Sequence, residues 1–158
     1  MLLGCLLSVS FLSGEPVAAG ESGTKDGPDL VITSLSASVV GKDRVSYSYT
    51  VKNIGNRPVN LDGPTDSAAD NVSVQAYVSQ DTVFRNDGDL PAGGTNLKRS
   101  PSGILEPGVS MSGGFSANVE DNPRKYRYLI LMVDWRGAVN ETDESNNLAV
   151  AEISNGRR

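Results

Sequence analysis

Asp81, Asn86, Asp87 and Asp89 place four oxygen-bearing side chains in nine residues, and further along Asp134, Glu141, Asp143 and Glu144 form a second acidic group. Such groups suit calcium, which takes about six to eight oxygen ligands, several of them carboxylate. The spacing is not that of an EF-hand loop, and Asp87-Gly88 can equally serve as the turn of a solvated hairpin. Asp81, Asp87, Asp89 and Asp134 are the candidate calcium ligands, on the condition that their loops meet. Paired carboxylates also hydrolyse glycosides, but short strands and turn-sized loops imply no deep cleft for a sugar chain. Ser22-Gly23-Thr24-Lys25 matches the Ser-x-x-Lys pattern of acyl-serine enzymes. That pattern needs a helix and a buried lysine, and this copy lies in a glycine-rich stretch. The chain has no histidine, and Cys5 is its single cysteine. Histidine general bases, thiol nucleophiles and the usual zinc sites are therefore excluded from the region beyond the N-terminus. The residues read as a non-enzymatic protein with no cofactor, calcium being the one ion to consider.

Two further groups bear on recognition. Tyr128-Leu129-Ile130-Leu131-Met132-Val133 is apolar on both faces of a strand. Either a loop or long side chains cover its second face, or Tyr128, Ile130 and Met132 line an exposed stripe that meets a partner. Trp135, the only tryptophan, follows at once and serves either as a core plug or as a rim aromatic that stacks on a sugar or a partner chain. Pro123-Arg124-Lys125-Tyr126-Arg127-Tyr128 interleaves bases with aromatics as single-strand binders do. In a chain with 14 basic and 19 acidic residues and a formal charge of -5, it reads instead as the polar start of a strand. That charge excludes nucleic acid as a partner and gives no attraction to anionic lipid.

The elements that carry these residues show a period of two. Val45, Tyr47, Tyr49 and Val51 alternate with Ser46, Ser48, Thr50 and Lys52, and Val72, Val74, Ala76 and Val78 alternate with Ser73, Gln75, Tyr77 and Ser79. This is the pattern of strands with one face on a core and one in water. A first strand starts at Leu30 and Ile32 and continues through Leu35, Ala37 and Val39 after a phase change, which predicts a bulge near Thr33-Ser34. Val109 to Val119 gives a later strand, interrupted at Gly113-Gly114, and Leu148 to Ile153 a last one. Turn chemistry at Gly41-Lys42-Asp43, Asn53 to Asn56, Asp87-Gly88, Gly93-Gly94 and Pro107-Gly108 separates the runs. The 158 residues suffice for one core, and 17 glycines with 8 prolines mark it as loop-rich. The predicted fold is all-β, an immunoglobulin-like antiparallel β-sandwich of about seven strands, held by burial without a disulfide.

Val51-Lys52-Asn53-Ile54-Gly55-Asn56, Tyr77-Val78-Ser79-Gln80-Asp81, Leu105-Glu106-Pro107-Gly108, Val133-Asp134 and the run Val139 to Asn147 with its Glu-x-x-Glu-x-Asn-Asn ending follow one another in order. Together they resemble the CARDB domain, the cell-adhesion-related domain of bacteria and archaea, from Pro28 to about Ile153. The resemblance implies an extracytoplasmic, seven-stranded immunoglobulin-like module that is non-catalytic. Arg85 to Gly103 is longer than the family's usual loop, Asp62 to Asp70 looks inserted, and Trp135-Arg136 stands where small polar residues are common. Gly55 can take positive φ where its strand ends, and the side-chain amides of Asn146 and Asn147 can bond loop backbone groups.

Met1 to Ser13 is an apolar run and Val17-Ala18-Ala19 supplies small residues before Gly20, so residues 1–19 read as a signal peptide cleaved after Ala19. Two other readings stay open: a lipobox ending in Cys5, and a retained segment. No membrane span is expected in the mature chain. Residues 20–28 contain no apolar side chain and read as a flexible linker, 29–154 as the domain and 155–158 as a tail. The expected protein is secreted, periplasmic or on the cell surface, where it mediates adhesion or contact with a protein or surface polysaccharide. The alternative is an accessory module that binds calcium or carbohydrate through its acidic loops.

Overall fold

The computed structural model describes residues 26–62, 71–85, 88–97 and 103–155. The expected leader 1–19, the lead-in up to residue 25, residues 63–70 of the insertion, Asn86, Asp87 and the end of the chain from 156 lie outside the described residues. The strands are β1 (Leu30–Val40), β2 (Arg44–Asn53), β3 (Val59–Asn60), β4 (Ser73–Ser79), β5 (Leu90–Asn96), β6 (Ile104–Leu105), β7 (Ser110–Asn118), β8 (Tyr128–Val133) and β9 (Leu148–Asn155), with one 3-10 turn at Pro123–Lys125. Seven of them build the predicted sandwich. In one layer β2 lies between β1 and β7, and in the other β8 lies between β4 and β9 with β5 outside β4. Ala37–Val39 pair in parallel with Ile153–Asn155, so β1 joins the two layers. β3 and β6 form a separate antiparallel pair.

The alternation predicts which side chains meet. Val45, Tyr47, Tyr49 and Val51 of β2 face Val74, Ala76 and Val78 of β4 and Leu129, Leu131 and Val133 of β8 in one core. Burial of a branched aliphatic side chain is worth about 1.5–3 kcal/mol, which makes this layer contact the main favourable term. The phase change in β1 is a register shift between Ile32 and Ser34, where the bulge was predicted. It lets Leu30 and Ile32 face inward before the break and Ala37 and Val39 after it.

Two strand readings change. β5 lies where a loop was expected, because Leu-Pro-Ala-Gly-Gly-Thr-Asn shows no alternation. It is an edge strand in which three steps from Pro91 to Gly94 oppose two from Tyr77 to Gln75. Gly93, at φ 81°, makes that bulge possible. Gly113-Gly114 does not interrupt β7, which pairs with β2 from Ser110 to Asn118. A Cβ on Gly113 would lie 2.6 Å from the Tyr49 hydroxyl, so glycine there makes room for a core tyrosine.

Gly55 is likewise set by space and not by positive φ, because a Cβ there would meet the backbone of Gly27, Pro28 and Asp29. That backbone belongs to the segment read as a linker. Asp26 to Pro28 is bonded into the domain: Asn56 N donates to the Gly27 carbonyl at 3.0 Å, and Thr142 N to the Pro28 carbonyl at 2.9 Å. Arg57 pairs with Asp26 at 2.6 Å, although both are exposed. Apolar content could not reveal this attachment, since main-chain bonds make it. The Gly55→Ala variant is expected to lose roughly 2 kcal/mol or more, measured as a lower urea midpoint at unchanged slope.

Candidate functional site

The residues singled out by motif gather at the end of the sandwich where β8 stops. Asp134 leaves β8 with φ 48°, a left-handed turn that aspartate tolerates better than most residues. Its amide donates to the Ser73 carbonyl at 2.8 Å, and its two carboxylate oxygens accept from Ala138 N at 3.0 Å and Val139 N at 2.9 Å. One buried carboxylate thus folds the loop back across the strand end.

Glu141 follows, 8% exposed. Its Oε2 accepts from Leu30 N, the first amide of β1, and its Oε1 accepts from Asn147 Nδ2 at 2.9 Å. Glu144 Oε1 accepts from Glu141 N at 2.9 Å and closes the loop from within. Asp29 makes the parallel link: its Oδ2 accepts from the Thr142 hydroxyl at 2.7 Å and its Oδ1 from Asn146 Nδ2 at 2.8 Å. Asn53, fully buried, accepts from Asp29 N at 3.3 Å and Gly55 N at 3.0 Å, and donates to the carbonyls of Arg57 and Leu105. Asn146 and Asn147 donate to carboxylates and not, as expected, to loop backbone. The motif residues form a polar clamp between the start of β1, the end of β2 and the β8–β9 loop.

Burial pushes the Glu141 carboxyl from 4.5 up to about 7, against the opposing pull of its Leu30 and Asn147 donors, and the charges of Asp134 and Glu144 add to the rise. Asp134 is raised for the same first reason, with Val139 and Ala138 opposing and Glu144 contributing.

The candidate ligands divide between two ends. Asp81 lies just beyond Ser79 at one end of β4, where its Oδ1 accepts from Val83 N at 2.7 Å. Asp89 stands in the same loop and accepts from Arg85 N at 2.8 Å, while Asp87 lies outside the described residues. Asp134 pairs with Ser73 at the opposite end of β4, roughly 20 Å away along the seven residues of that strand. The fold therefore brings Asp81 and Asp89 into one loop and keeps Asp134 apart from them. Among the described residues no three Asp, Glu, His or Cys side chains group so as to hold a metal ion.

The recognition candidates lie on the outer face of β4, β8 and β9. Ile130 is fully buried although it lies outside the core cluster, with Tyr77 and Val150 as its neighbours on the flanking strands. The stripe is therefore closed at its centre, while Tyr128 and Met132 at either end are half-buried. Trp135 is 36% exposed, with the Arg136 guanidinium 5.0 Å from its ring centroid, a rim position and not a core plug. The basic run expected to be the polar start of a strand instead forms the 3-10 turn at Pro123–Lys125, and the strand begins only at Tyr128. Lys125 pairs with Asp121 and Arg127 with Glu152, each at 2.9 Å.

The opposite outer face has a character that single-strand patterns do not show. The register aligns Ser34, Thr50 and Ser112 in one row, Ser36, Ser48 and Gly114 in the next, and Ser38, Ser46 and Ser116 in a third. Ser36 bonds Ser48, and Thr50 bonds Ser112, through their hydroxyls at 2.8 Å. These rows present hydroxyls and no charge.

Comparison with known proteins agrees with this architecture. The CARDB family model matches residues 27–151. The solution structure of a CARDB domain from Pyrococcus furiosus is similar with a TM-score of 0.50 and 21% identity, covering 82% of this chain and 95% of that one. A crystal structure of that domain in complex with di-metal ions gives 0.51 and 18%, covering 82% and 94%. A domain assigned to a cell surface protein of Methanosarcina acetivorans gives 0.55 and 23%, covering 83% and 94%. At these identities the likeness shows the fold. No curated protein matches the chain.

The clamp has a pH signature. A native carboxyl that keeps its proton where the unfolded chain has lost it contributes stability below about pH 4.5, and that contribution fades as the pH rises through about 7. The urea midpoint is expected to fall between about pH 5 and about pH 7.5, and Glu141→Gln to flatten that fall. Glu141→Ala leaves the Leu30 and Asn147 donors buried without an acceptor and should cost roughly 2–4 kcal/mol in denaturant titration.

Proposed function

This chain belongs to the CARDB family, and we propose that it is an exported, non-catalytic immunoglobulin-like module that makes protein contacts at the cell surface or in the periplasm. The observation that carries the reading is the outer face of β4, β8 and β9. Tyr77, Tyr128, Met132, Leu148 and Val150 lie there half-buried outside the core, and the partly exposed Trp135 continues the patch at the end of β8. An apolar face with aromatics at its rim suits a protein partner, because such anchors gain most from losing water. Export is supported by the apolar leader ending at Ala19 and by the likeness to a cell-surface domain. A second reading, contact with a neutral polysaccharide, is favoured by the hydroxyl rows of β1, β2 and β7. Short uncharged side chains there lose little entropy and expose no charge that binding would have to desolvate.

The two readings place contact on opposite faces. Binding of the purified mature protein to a cell-envelope preparation is expected to fall at least tenfold in Met132→Lys with Val150→Lys, at a melting temperature within a few degrees of the parent. Ser48→Lys with Ser112→Lys should leave binding unchanged. The reverse outcome assigns the contact to the hydroxyl face. N-terminal sequencing of the exported protein should begin at Gly20, and recovery of the full-length chain from the cytoplasm overturns the proposed location.

A further inference from the structure

The end of β8 borders a surface pocket of about 350 Å³ whose lining includes Asp134, Trp135, Glu144, Ser145 and Asn147. Asp134 is 4% exposed and uses one lone pair on each oxygen for a loop amide. A carboxylate has about four such sites, so roughly two remain free. Glu144 is exposed and lines the same pocket, with its Oε1 on Glu141 N. Two carboxylates facing one pocket repel each other unless a cation lies between them.

A separate observation comes from Asn147. The residue is 7% exposed, its Nδ2 donates to Glu141, and its Oδ1 is buried without a hydrogen-bond partner. With Nδ2 placed on the Glu141 carboxyl, Oδ1 is the amide atom left over. The acceptor is therefore left with nothing to accept from. Ser73, whose carbonyl binds Asp134 N, likewise has a buried hydroxyl without a partner. A buried acceptor of this kind costs free energy that an ion or a donor at the site returns.

We propose that this pocket binds one divalent cation, calcium by its all-oxygen donor set, through the carboxylates of Asp134 and Glu144 and Oδ1 of Asn147. Only two carboxylates are used, so the site is of a weaker class than the multi-carboxylate loops of intracellular sensors, with affinity in the range of extracellular modules, about 10⁻⁴–10⁻³ M. It is distinct from the Asp81 and Asp89 loop at the far end of β4. Bound there, the ion would tie the β8–β9 loop to the strand end beside the Glu141 clamp.

Trp135 gives the test its own readout, since it lines the pocket and is the only tryptophan. Terbium, which occupies calcium sites, should luminesce on selective excitation of that indole, and calcium should quench the emission by displacement. In mature protein freed of metal with a chelator, millimolar calcium should raise the melting temperature by several degrees. Glu144→Gln keeps an acceptor for Glu141 N on an exposed side chain and should fold normally, with at least tenfold weaker calcium binding. Trp135→Phe should lose the terbium signal and keep the calcium-dependent shift. No shift at about 10 mM calcium, or a shift that Glu144→Gln leaves intact, overturns the site.

Discussion

A buried carboxylate that joins residues 111 apart in sequence is the constraint on which the sandwich depends. Glu141 takes the first amide of β1 and the side chain of Asn147 together, and so ties the beginning of the domain to the loop before its last strand. Burying a carboxylate is unfavourable by itself, and it persists only where donors surround it. Here they do, and Asp29 repeats the same link with Thr142 and Asn146. A chain with one cysteine, Cys5, can form no internal disulfide, so this polar clamp does the work of a cross-link without one.

The clamp matters because β1 serves two layers. It runs antiparallel to β2 over most of its length and parallel to β9 only at Ala37–Val39. A strand so divided needs its beginning held, and the bulge at Thr33 then turns the remainder toward β9. With both ends placed, the core of β2, β4 and β8 closes, and the two outer faces acquire opposite character. One is apolar and aromatic, and the other is a set of hydroxyl rows.

Much of this was legible in the residues. Alternation located β1, β2, β4, β7 and β9, and even the bulge, because a period of two is imposed by the pleat. β5 was not legible, since an edge strand with a glycine bulge has no buried face to mark it. Motifs pointed to Asn53, Glu141, Asn146 and Asn147 but not to their partners, which lie on other strands. The same limit applies to Asp81 and Asp134. Each stands beside β4 or its neighbour, and only the pairing of β4 with β8 reveals that they sit at opposite ends. The hydroxyl face emerges only when three strands are set in register.

Native-state hydrogen exchange at the Leu30 amide tests the clamp most directly. If the Glu141 carboxylate closes the domain, that amide should exchange only with global unfolding, at the same free energy as the amides of Val51 and Leu131 in the centre of the sheets. Exchange of Leu30 through fraying, at a free energy well below theirs, would contradict the account and leave the sandwich standing on its apolar core alone.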